Sequence, residues 1–293
     1  SGIIVKTGTG LELGCATVFL SDVVDWLKAS MSNPIASFVK NMDIALTMKI
    51  VNKRTDGNIV ISTYLKQYYK QQSTLLLPPL TTQESSGLEG VKREFDGIRI
   101  VYAGSPFRAG RKNLPIKLFK DRLDVVVSLI CDAVDQNADI HLDIFGVKEK
   151  DFLLAIGKRN VARKYEQHKN VIRFYGIKNS EDVRNAILKS DYTILIRDIK
   201  RATIAGFSTK ISESLSLGIP VIVNDCGDNK KYISDGTNGF ILPDEYTAAL
   251  KRLFEISEMP KTSLSEIKHN CLSMECFRPS QYFEETEKFL KAL

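Results

Sequence analysis

Strand-type and helix-type spacings of apolar residues alternate from about residue 98 onward. Five short segments rich in β-branched and aromatic residues are bounded by Gly, Asp or Pro, which is typical of strands: IRIVYAG (98–104), IHLDIFG (140–146), VIRFYGI (171–177), YTILIRD (192–198) and PVIVND (220–225). The stretches between them have the three- and four-residue spacing of helices, at 114–134, 149–167, 180–190 and 209–217. This alternation predicts a doubly wound parallel sheet with helices on both faces, an α/β domain.

The loops that leave the carboxyl ends of these strands are the expected functional positions. Ligands of doubly wound sheets bind at that edge, where the loops lead into helix N-termini. The loops of interest therefore follow residues 104, 146, 177, 198 and 225.

The first ninety residues have a different pattern. Residues 33–54 form an apolar stripe at helical spacing, 57–63 and 74–80 are predicted strands, and a helix begins near residue 64. These elements predict an α/β fragment. The polar stretch 81–97 has the composition of a linker, and we place the domain boundary there.

The predicted domains follow from this boundary. They are an apparently incomplete, partial or shortened amino-terminal domain (1–90), a ligand-binding domain (91–278) and a last helix (279–293). Helical patterns also cover residues 244–257 and 263–274.

Composition narrows the function classes. The chain has 293 residues, enough for two domains, and a net charge of +6 that favours an anionic partner. It has no aromatic and basic signature of a nucleic-acid module, so we expect no nucleic-acid partner. Its five cysteines form no C-x-x-C pair and its three histidines are far apart, which predicts reduced thiols and no metal. With no apolar run of transmembrane length and no secretory signal, we expect a cytoplasmic protein.

Lys210 and Glu213 lie three residues apart at the start of the helix that follows Ser208 and Thr209, either of which can cap it. A lysine at a helix N-terminus opposes the helix dipole, so it is poorly explained by stability. An anion bound there explains Lys210 better, since the amide donors and the ammonium both favour negative charge. Glu213 would face a neutral hydroxyl-bearing group such as ribose. The alternative is a solvated charged face.

A second basic loop follows the first strand of the same domain. In YAGSPFRAGRKN (102–113), glycines and basic residues form a permissive loop rich in donors suited to phosphate. Both loops open on one edge of the predicted sheet. Two cationic loops that converge on one crevice suit a diphosphate.

These residues resemble a known family, the GT-B glycosyltransferases, and specifically the retaining, group 1 type enzymes of glycosyltransferase family 4. The resemblance covers about residues 95–245, through YAGSPFRAGRKN, VIRFYGI, SDYTILIRD, AGFSTKISESLSLGIPVIVND and YISDGTNGFILP. It implies a GT-B fold in which the final helix crosses back to the amino-terminal domain. It also implies a nucleotide-diphosphate sugar as donor substrate, most often linked to UDP or GDP, with no cofactor.

The resemblance further implies roles for individual residues. Lys210 and Lys112, with Arg111 or Arg108, would stabilise the leaving diphosphate, and Glu213 would hold the ribose. The turn from Tyr175 to Ile177 would lie near the base, and the backbone of Gly206 and Phe207 near the sugar. The full set of positions implied for the donor is Gly104, Ser105, Arg108, Arg111, Lys112, Tyr175, Gly176, Ile177, Arg197, Gly206, Phe207, Ser208, Thr209, Lys210 and Glu213.

The sequence departs from the family pattern at three positions. Ala205 stands where many members have a glutamate that contacts the donor sugar, and Ser208 stands where proline is frequent. Lys112 lies eight residues past Gly104, a longer reach than the usual loop allows.

The function expected from the residues and the resemblance is metal-independent sugar transfer, with retention, to a hydroxyl of a glycan or a lipid-linked acceptor. Two alternatives stay open, a non-catalytic protein that binds nucleotide sugars and a nucleotide-sugar epimerase. Asp22 and Asp25 are candidates for a catalytic base, although a structural role fits them better. The stripe at 33–54, with Lys40, Lys49, Lys53 and Arg54, is interpreted either as a core helix or as a peripheral contact with the inner face of a membrane.

Overall fold

The computed structural model describes residues 3–7, 17–24, 26, 34–81 and 97–293. The chain divides into two compact units. Unit 1 comprises 1–82, 199–208 and 275–293, and unit 2 comprises 83–198 and 209–274. Most of the predicted linker (82–96) and the candidate base Asp25 lie outside the described residues.

Unit 1 contains a four-stranded sheet with β1 antiparallel to β2 and the other neighbours parallel, in the order β1 (Ile3–Thr7), β2 (Thr17–Val23), β3 (Gly57–Val60), β4 (Ser73–Leu76). Its described helices are α1 (Pro34–Leu46), α2 (Thr63–Tyr68), α7 (Arg201–Ala205) and α12 (Phe283–Lys291). A π-helical turn, Thr47–Val51, continues α1. The predicted helix at 33–54 and the strands at 57–63 and 74–80 are confirmed.

The core of unit 1 joins segments that are far apart in sequence. Val23, Trp26, Leu65 and Tyr69 are buried in one cluster that also includes Ala205. The Ser62 hydroxyl donates a 2.6 Å hydrogen bond to the Ala205 carbonyl. Residues 199–208 therefore pack with the amino-terminal segment, a grouping that the sequence pattern does not indicate.

The last helix packs in unit 1 as well. Phe289 of α12 is buried against Leu20 of β2 and Leu75 of β4. The Thr81 amide donates a 2.9 Å hydrogen bond to the Phe277 carbonyl and ties the end of the chain to the segment after β4.

Unit 2 contains a six-stranded sheet whose paired strands are all parallel, in the order β10-β9-β8-β5-β6-β7. Its strands are β5 (Ile98–Ala103), β6 (Ile140–Phe145), β7 (Ile172–Gly176), β8 (Tyr192–Leu195), β9 (Val221–Asn224) and β10 (Gly239–Leu242). The described helices are α3 (Leu123–Asp135), α4 (Glu149–Ile156), α5 (Asn160–Gln167), α6 (Ser180–Leu188), α8 (Thr209–Ser216), α9 (Asn229–Tyr232), α10 (Tyr246–Ser257) and α11 (Lys261–Leu272).

The doubly wound sheet is confirmed, with differences in detail. All five predicted strands form, and all four residues of β9 are buried, as expected for a central parallel strand. Strand β10 was not predicted as a strand. The predicted helix 149–167 is two helices because Gly157 has φ +59 and ends α4. The predicted helix 114–134 is a short 3-10 turn, Ile116–Leu118, followed by α3.

Candidate functional site

The strand order of unit 2 places a crevice between β5 and β8. The chain continues from β5 to β6 on one side and reaches β8 on the other, so the direction of winding reverses between β5 and β8. Open α/β sheets bind ligands outside the carboxyl ends of the strands at this point. Gly104 follows β5 and Arg197 lies two residues beyond β8, so both predicted residues flank the crevice.

A buried carboxylate connects the positively charged residues at this crevice. Asp121 is fully buried, and its Oδ1 accepts a 3.0 Å hydrogen bond from Arg197 Nε. Its Oδ2 accepts a 2.8 Å hydrogen bond from the Tyr102 hydroxyl and forms an ion pair with the Lys210 ammonium. The structure therefore brings together Arg197 and Lys210, which are thirteen positions apart in sequence. Sequence reasoning did not single out Asp121.

The charges in this cluster act on one another. Burial alone would raise the pKa of Asp121, but Lys210 and Arg197 together bring the pKa of that carboxyl below its usual range. Burial lowers the pKa of Lys210, and Asp121 opposes this effect whereas Arg197 and Lys120 add to it. One carboxylate thus lies among Lys210, Arg197 and Lys120, which leaves an excess of positive charge for an anionic ligand.

Helix α8 is fixed so that Lys210 lies in its first turn. The Ser214 hydroxyl is 2.7 Å from the Thr193 hydroxyl of β8 and donates a 2.8 Å hydrogen bond to the Ile219 carbonyl just before β9. Ile211 and Leu215 are buried on the same helix. These contacts anchor α8 on the sheet and hold Lys210 at the edge where β5 and β8 end.

Three neighbouring strands end in glycine and leave backbone at the edge of the sheet. Gly104 follows β5, Gly146 follows β6 and Gly176 ends β7; the last two have φ +89 and φ +69. The Gly146 amide donates a 2.7 Å hydrogen bond to the Gly176 carbonyl, and a side chain at Gly146 would collide with the Gly104 carbonyl. The neighbouring Tyr175 ring stacks on Phe145, with ring centroids 4.7 Å apart. Glycine at 146 therefore allows close packing of backbone at this edge of the sheet, the glycine edge.

The basic loop after β5 is hydrogen-bonded to α4. Asn113 and Leu114 donate backbone hydrogen bonds of 2.9 Å and 2.8 Å to carbonyls of α4, and Gly110 donates one to Asp151. Arg108, Arg111 and Lys112, together with Ser105, are exposed. No contact among the described residues joins the three basic side chains to Lys210, so their role in phosphate binding stays a prediction.

Lys120 is the basic residue that sequence reasoning missed. It precedes Asp121, its side chain is exposed, and its charge lowers the pKa of Lys210. Its amide donates a hydrogen bond of 2.6 Å to the Pro106 carbonyl, which fixes its backbone beside the turn after β5. Lys120 lies within the predicted helix 114–134 and was therefore not predicted as a loop residue. The helix in fact begins only at Leu123.

A small cleft in unit 2, with a cavity volume of about 50 Å³, is lined by both Lys210 and Glu213. Aliphatic side chains from β5, β8, β9 and α6 form the rest of its wall, including Val101 and Val183. Burial raises the pKa of Glu213, and Lys210 partly offsets this effect. An apolar lining with few, specifically placed polar groups is typical of small-molecule sites.

The remaining predicted residues are placed as follows. Ile177 is exposed just beyond β7, and Thr209 is the first residue of α8. Gly206, Phe207 and Ser208 belong to unit 1, where Phe207 stacks on Phe277. Their predicted contacts with the sugar stay predictions. Asp22 lies on β2 in unit 1, and burial raises its pKa.

Two further properties concern the parts of the chain that the structure describes. Among those residues, no three His, Cys, Asp or Glu side chains form a cluster that could hold a metal ion. None of the helices described is both long and apolar enough to cross a membrane.

Several solved structures share the fold of this chain. The pneumococcal O-GlcNAc transferase GtfA, in complex with UDP and GlcNAc, is 18% identical with a TM-score of 0.60, over 84% of this chain and 47% of its own. Sucrose-phosphate synthase from Thermosynechococcus elongatus is 14% identical with a TM-score of 0.59, over 89% and 62%. HepE from Anabaena, in complex with UDP and glucose, is 13% identical with a TM-score of 0.61, over 94% and 71%.

These similarities show that the fold is GT-B. The chain spans about half the length of GtfA. No curated protein sequence matches the chain. The family model described as glycosyl transferases group 1 matches residues 107–255, which are 149 of the 293 residues. That region contains Lys120, Asp121, Arg197, Lys210 and Glu213, and the match extends over half of the chain. The chain belongs to the group 1 glycosyl transferases.

Proposed function

We propose that this chain binds a nucleotide-diphosphate sugar in unit 2 and takes part in transfer of the sugar, with retention, to a hydroxyl of a glycan or lipid-linked acceptor. The main support is the convergence of Lys210 and Arg197 on Asp121 beside the switch point of the sheet. UDP and sugars are bound by the similar structures of GtfA and HepE, which makes a nucleotide sugar the natural donor class.

The reaction needs stabilisation of a leaving diphosphate. As the bond between the anomeric carbon and the β-phosphate oxygen breaks, its electron pair stays on that oxygen. Positive charges fixed at this position stabilise the transition state more than the bound donor, which accelerates the step. Lys210, Arg197 and Lys120 would supply this charge. The acceptor oxygen then bonds to the anomeric carbon on the same face, and its proton passes to the departing β-phosphate oxygen.

Glu213, the glycine edge and Tyr175, which belong to unit 2, would hold the ribose and the base. Glu213 lies one turn after Lys210 in the same cleft, where a half-buried carboxylate can accept hydrogen bonds from ribose hydroxyls. The glycine edge and the Tyr175 ring offer backbone and a flat surface for the base. Ser105, Arg108, Arg111, Lys112 and the segment Gly206–Thr209 retain their predicted donor roles within this proposal.

A ligand screen by thermal shift tests donor binding. UDP, GDP, ADP and CMP, with their sugars, are compared at equal concentration, and a ligand at 100 times its Kd should stabilise the chain by about 2.7 kcal/mol. Lys210→Ala should abolish the stabilisation, whereas Lys251→Ala, which removes an exposed lysine from α10, should preserve it. If none of the nucleotides shifts the transition of the wild-type chain, donor binding is refuted.

Product analysis separates transfer from the two alternatives. The chain is incubated with the donor found in the screen, with and without candidate acceptors, and sugar products are identified by NMR. Release of the nucleoside diphosphate together with a glycoside of the donor's anomeric configuration supports the proposal. An inverted product contradicts retention. Binding without release indicates a non-catalytic protein, and an epimerised sugar nucleotide indicates an epimerase.

We also propose that α1 contacts an anionic membrane surface, where a lipid-linked acceptor would be present. Phe38, Val39, Met42 and Leu46 are each more than half exposed. The same segment and the turn after it carry Lys40, Lys49, Lys53 and Arg54 against Asp43 alone. Exposed apolar side chains flanked by positive charge are typical of helices that lie in a lipid interface.

Flotation with vesicles tests this contact. The chain should float with vesicles that contain phosphatidylserine and stay behind with phosphatidylcholine alone. Phe38→Glu with Met42→Glu should abolish flotation, whereas Phe283→Glu, at an exposed aromatic residue of α12, should not. Wild-type chain that does not float, or that instead self-associates through this face, contradicts the proposal.

A further inference from the structure

We propose that Asp121 is a positioning residue of the donor site, which holds Lys210 and Arg197 in place and keeps Lys210 charged for the donor diphosphate. The inference rests on the proposed function, because it assigns Lys210 to the diphosphate. It adds a residue that would not contact the donor itself and that acts through its neighbours.

The Asp121 carboxylate is buried and paired with Lys210 and Arg197. The carboxylate has no exposed surface, and its two oxygens accept from Arg197, from Lys210 and from the Tyr102 hydroxyl. The Lys210 side chain is instead about one quarter exposed, so part of it is accessible to a ligand, whereas Asp121 is not.

The backbone on both sides of Asp121 is fixed, which gives the carboxylate a defined position. The Lys120 amide donates to the Pro106 carbonyl at 2.6 Å, and the Arg122 amide donates to the Ile196 carbonyl at 2.7 Å. Arg122 also pairs with Asp198, at 2.7 Å. The pairs Asp121–Arg197 and Arg122–Asp198 thus run side by side and join the segment before α3 to the end of β8.

The charged and titratable groups around Lys210 define what Asp121 contributes. Asp121 is the fully buried acid that faces it, and Arg197 and Lys120 are positive. Tyr102 has its pKa raised by burial and by Asp121, so its phenol stays neutral, and Lys210 Nζ lies 5.0 Å from the ring centroid. Burial raises the pKa of Glu213, one turn away, and Lys210 partly offsets this effect, so Glu213 is a second, less buried acid that favours the charged form of Lys210. Without Asp121, burial and two positive neighbours would favour the neutral amine of Lys210.

The competing explanation is that Asp121 only stabilises the fold through a buried ion pair. Removing one partner of such a pair costs stability whether or not the site binds a ligand. The two roles differ in pH dependence. Loss of a structural contact weakens ligand binding at every pH, whereas loss of the charge on Lys210 weakens it only as pH rises.

The first experiment needs no ligand. The Nζ resonance of Lys210 is assigned with Lys210→Arg, and its titration is followed by NMR in wild type, Asp121→Asn and Asp124→Asn. Asp124→Asn is the matched control because Asp124 is also buried and pairs with Arg122, with no contact to Lys210 among the described residues. The Lys210 midpoint should fall by about one to three pH units in Asp121→Asn. It should stay at the wild-type value in Asp124→Asn.

The second experiment measures binding of inorganic pyrophosphate by calorimetry between about pH 6 and 9. The affinity of Asp121→Asn should fall about tenfold or more, relative to wild type, across that interval, because one pH unit above the midpoint leaves a tenth of the amine charged. In the double variant Asp121→Asn with Lys210→Arg, the affinity for pyrophosphate should not fall in this way as pH rises, because a guanidinium stays charged at every pH used. A uniform loss at all pH values would overturn the proposal.

The outcomes separate this inference from the proposed function. If Asp121→Asn does not fold, the wild-type titration decides: a Lys210 amine that stays charged throughout the interval of the binding measurements supports the proposal, and one that titrates within that interval overturns it. If the Lys210 midpoint is lowered in Asp121→Asn but the ligand screen finds no donor, the proposed donor is refuted. The control of the Lys210 charge by Asp121, called the Asp121–Lys210 link, is then still supported. An unchanged midpoint beside intact donor binding would refute the link alone.

Discussion

The end of the Lys210 side chain packs directly against Gly104 at the edge of the unit 2 sheet. The Lys210 side chain lies where any side chain at position 104 would begin, and its ammonium and terminal carbon would both collide with an added Cβ. The path of Lys210 towards Asp121 therefore depends on the absence of a side chain at Gly104. This steric relationship connects the first glycine of the edge to the charge that the proposed function needs.

Gly104→Ala should displace Lys210 and destabilise the fold by about 1–3 kcal/mol, the usual cost of overpacking. In a Lys210→Ala background, the same substitution should cost much less because the space has been emptied. Urea denaturation of the four chains of this double-mutant cycle measures the coupling. Additive effects would show that Gly104 is constrained by something other than Lys210.

Lys120→Ala should weaken binding of the nucleoside diphosphate found in the ligand screen more than Lys112→Ala does. The charge of Lys120 reaches Lys210, whereas the segment that contains Lys112 is hydrogen-bonded to α4. The expected difference is about tenfold in Kd, or about 1.4 kcal/mol, by calorimetry at low salt. Equal losses would instead support the role predicted for Lys112 from the sequence.

Glu213→Gln should weaken donor binding without a loss of stability. Burial raises the pKa of Glu213, so the folded state binds the proton more tightly than the unfolded state does. The unfavourable contribution of the buried carboxylate appears as pH rises through the unfolded and then the folded pKa, and is fully present at neutral pH. The variant should therefore melt at the wild-type temperature or above at neutral pH.

The proposed contact between Glu213 and the ribose can also be tested by changing the ligand. Wild type should bind the ribose form of the nucleoside diphosphate more tightly than the deoxyribose form, and Glu213→Ala should reduce that preference. Wild-type binding should also weaken as acid protonates Glu213, with a midpoint above the ordinary glutamate pKa of 4.5. Equal preference in both chains would remove Glu213 from the ribose site.

Asn179→Ala should destabilise unit 2 by about 1 kcal/mol through loss of an N-cap. The Asn179 side chain accepts a 2.7 Å hydrogen bond from the Asp182 amide at the start of α6. Ser180→Ala, at the first residue of the same helix, should change stability by less than about 0.5 kcal/mol. Chemical denaturation of both variants checks this, and equal effects would contradict the capping role.

The structure confirms those expectations that depend on local pattern. The five predicted strands of unit 2 are mostly apolar, because the strands of a parallel sheet are covered by helices on both faces. The N-cap at Asn179, which was not among the expectations stated above, is likewise a local feature, since its side chain accepts a hydrogen bond from an amide only three residues away. Strand β10 was missed because its four residues lie within a glycine-rich turn sequence.

The site shows where local pattern is insufficient. The sequence indicated a basic loop after β5, and Arg111 and Lys112 were the obvious cations in it. Hydrogen bonds from Asn113 and Leu114 to α4 determine the course of that loop, and they depend on residues about forty positions away. Lys120 and Asp121 were not predicted as site residues, because they lie inside a stretch that was interpreted as a helix.

The sequence by itself determined the doubly wound sheet, the edge at which a ligand binds, and the placement of Lys210 and Glu213 on one turn of a helix. Each of these depends on periodicity or on neighbours a few residues apart. Only the tertiary structure decided that Asp121 joins Lys210 and Arg197, and that residues 199–208 pack in unit 1. Such contacts bring together segments up to 143 positions apart, and buried charges are satisfied by whichever partner the fold supplies.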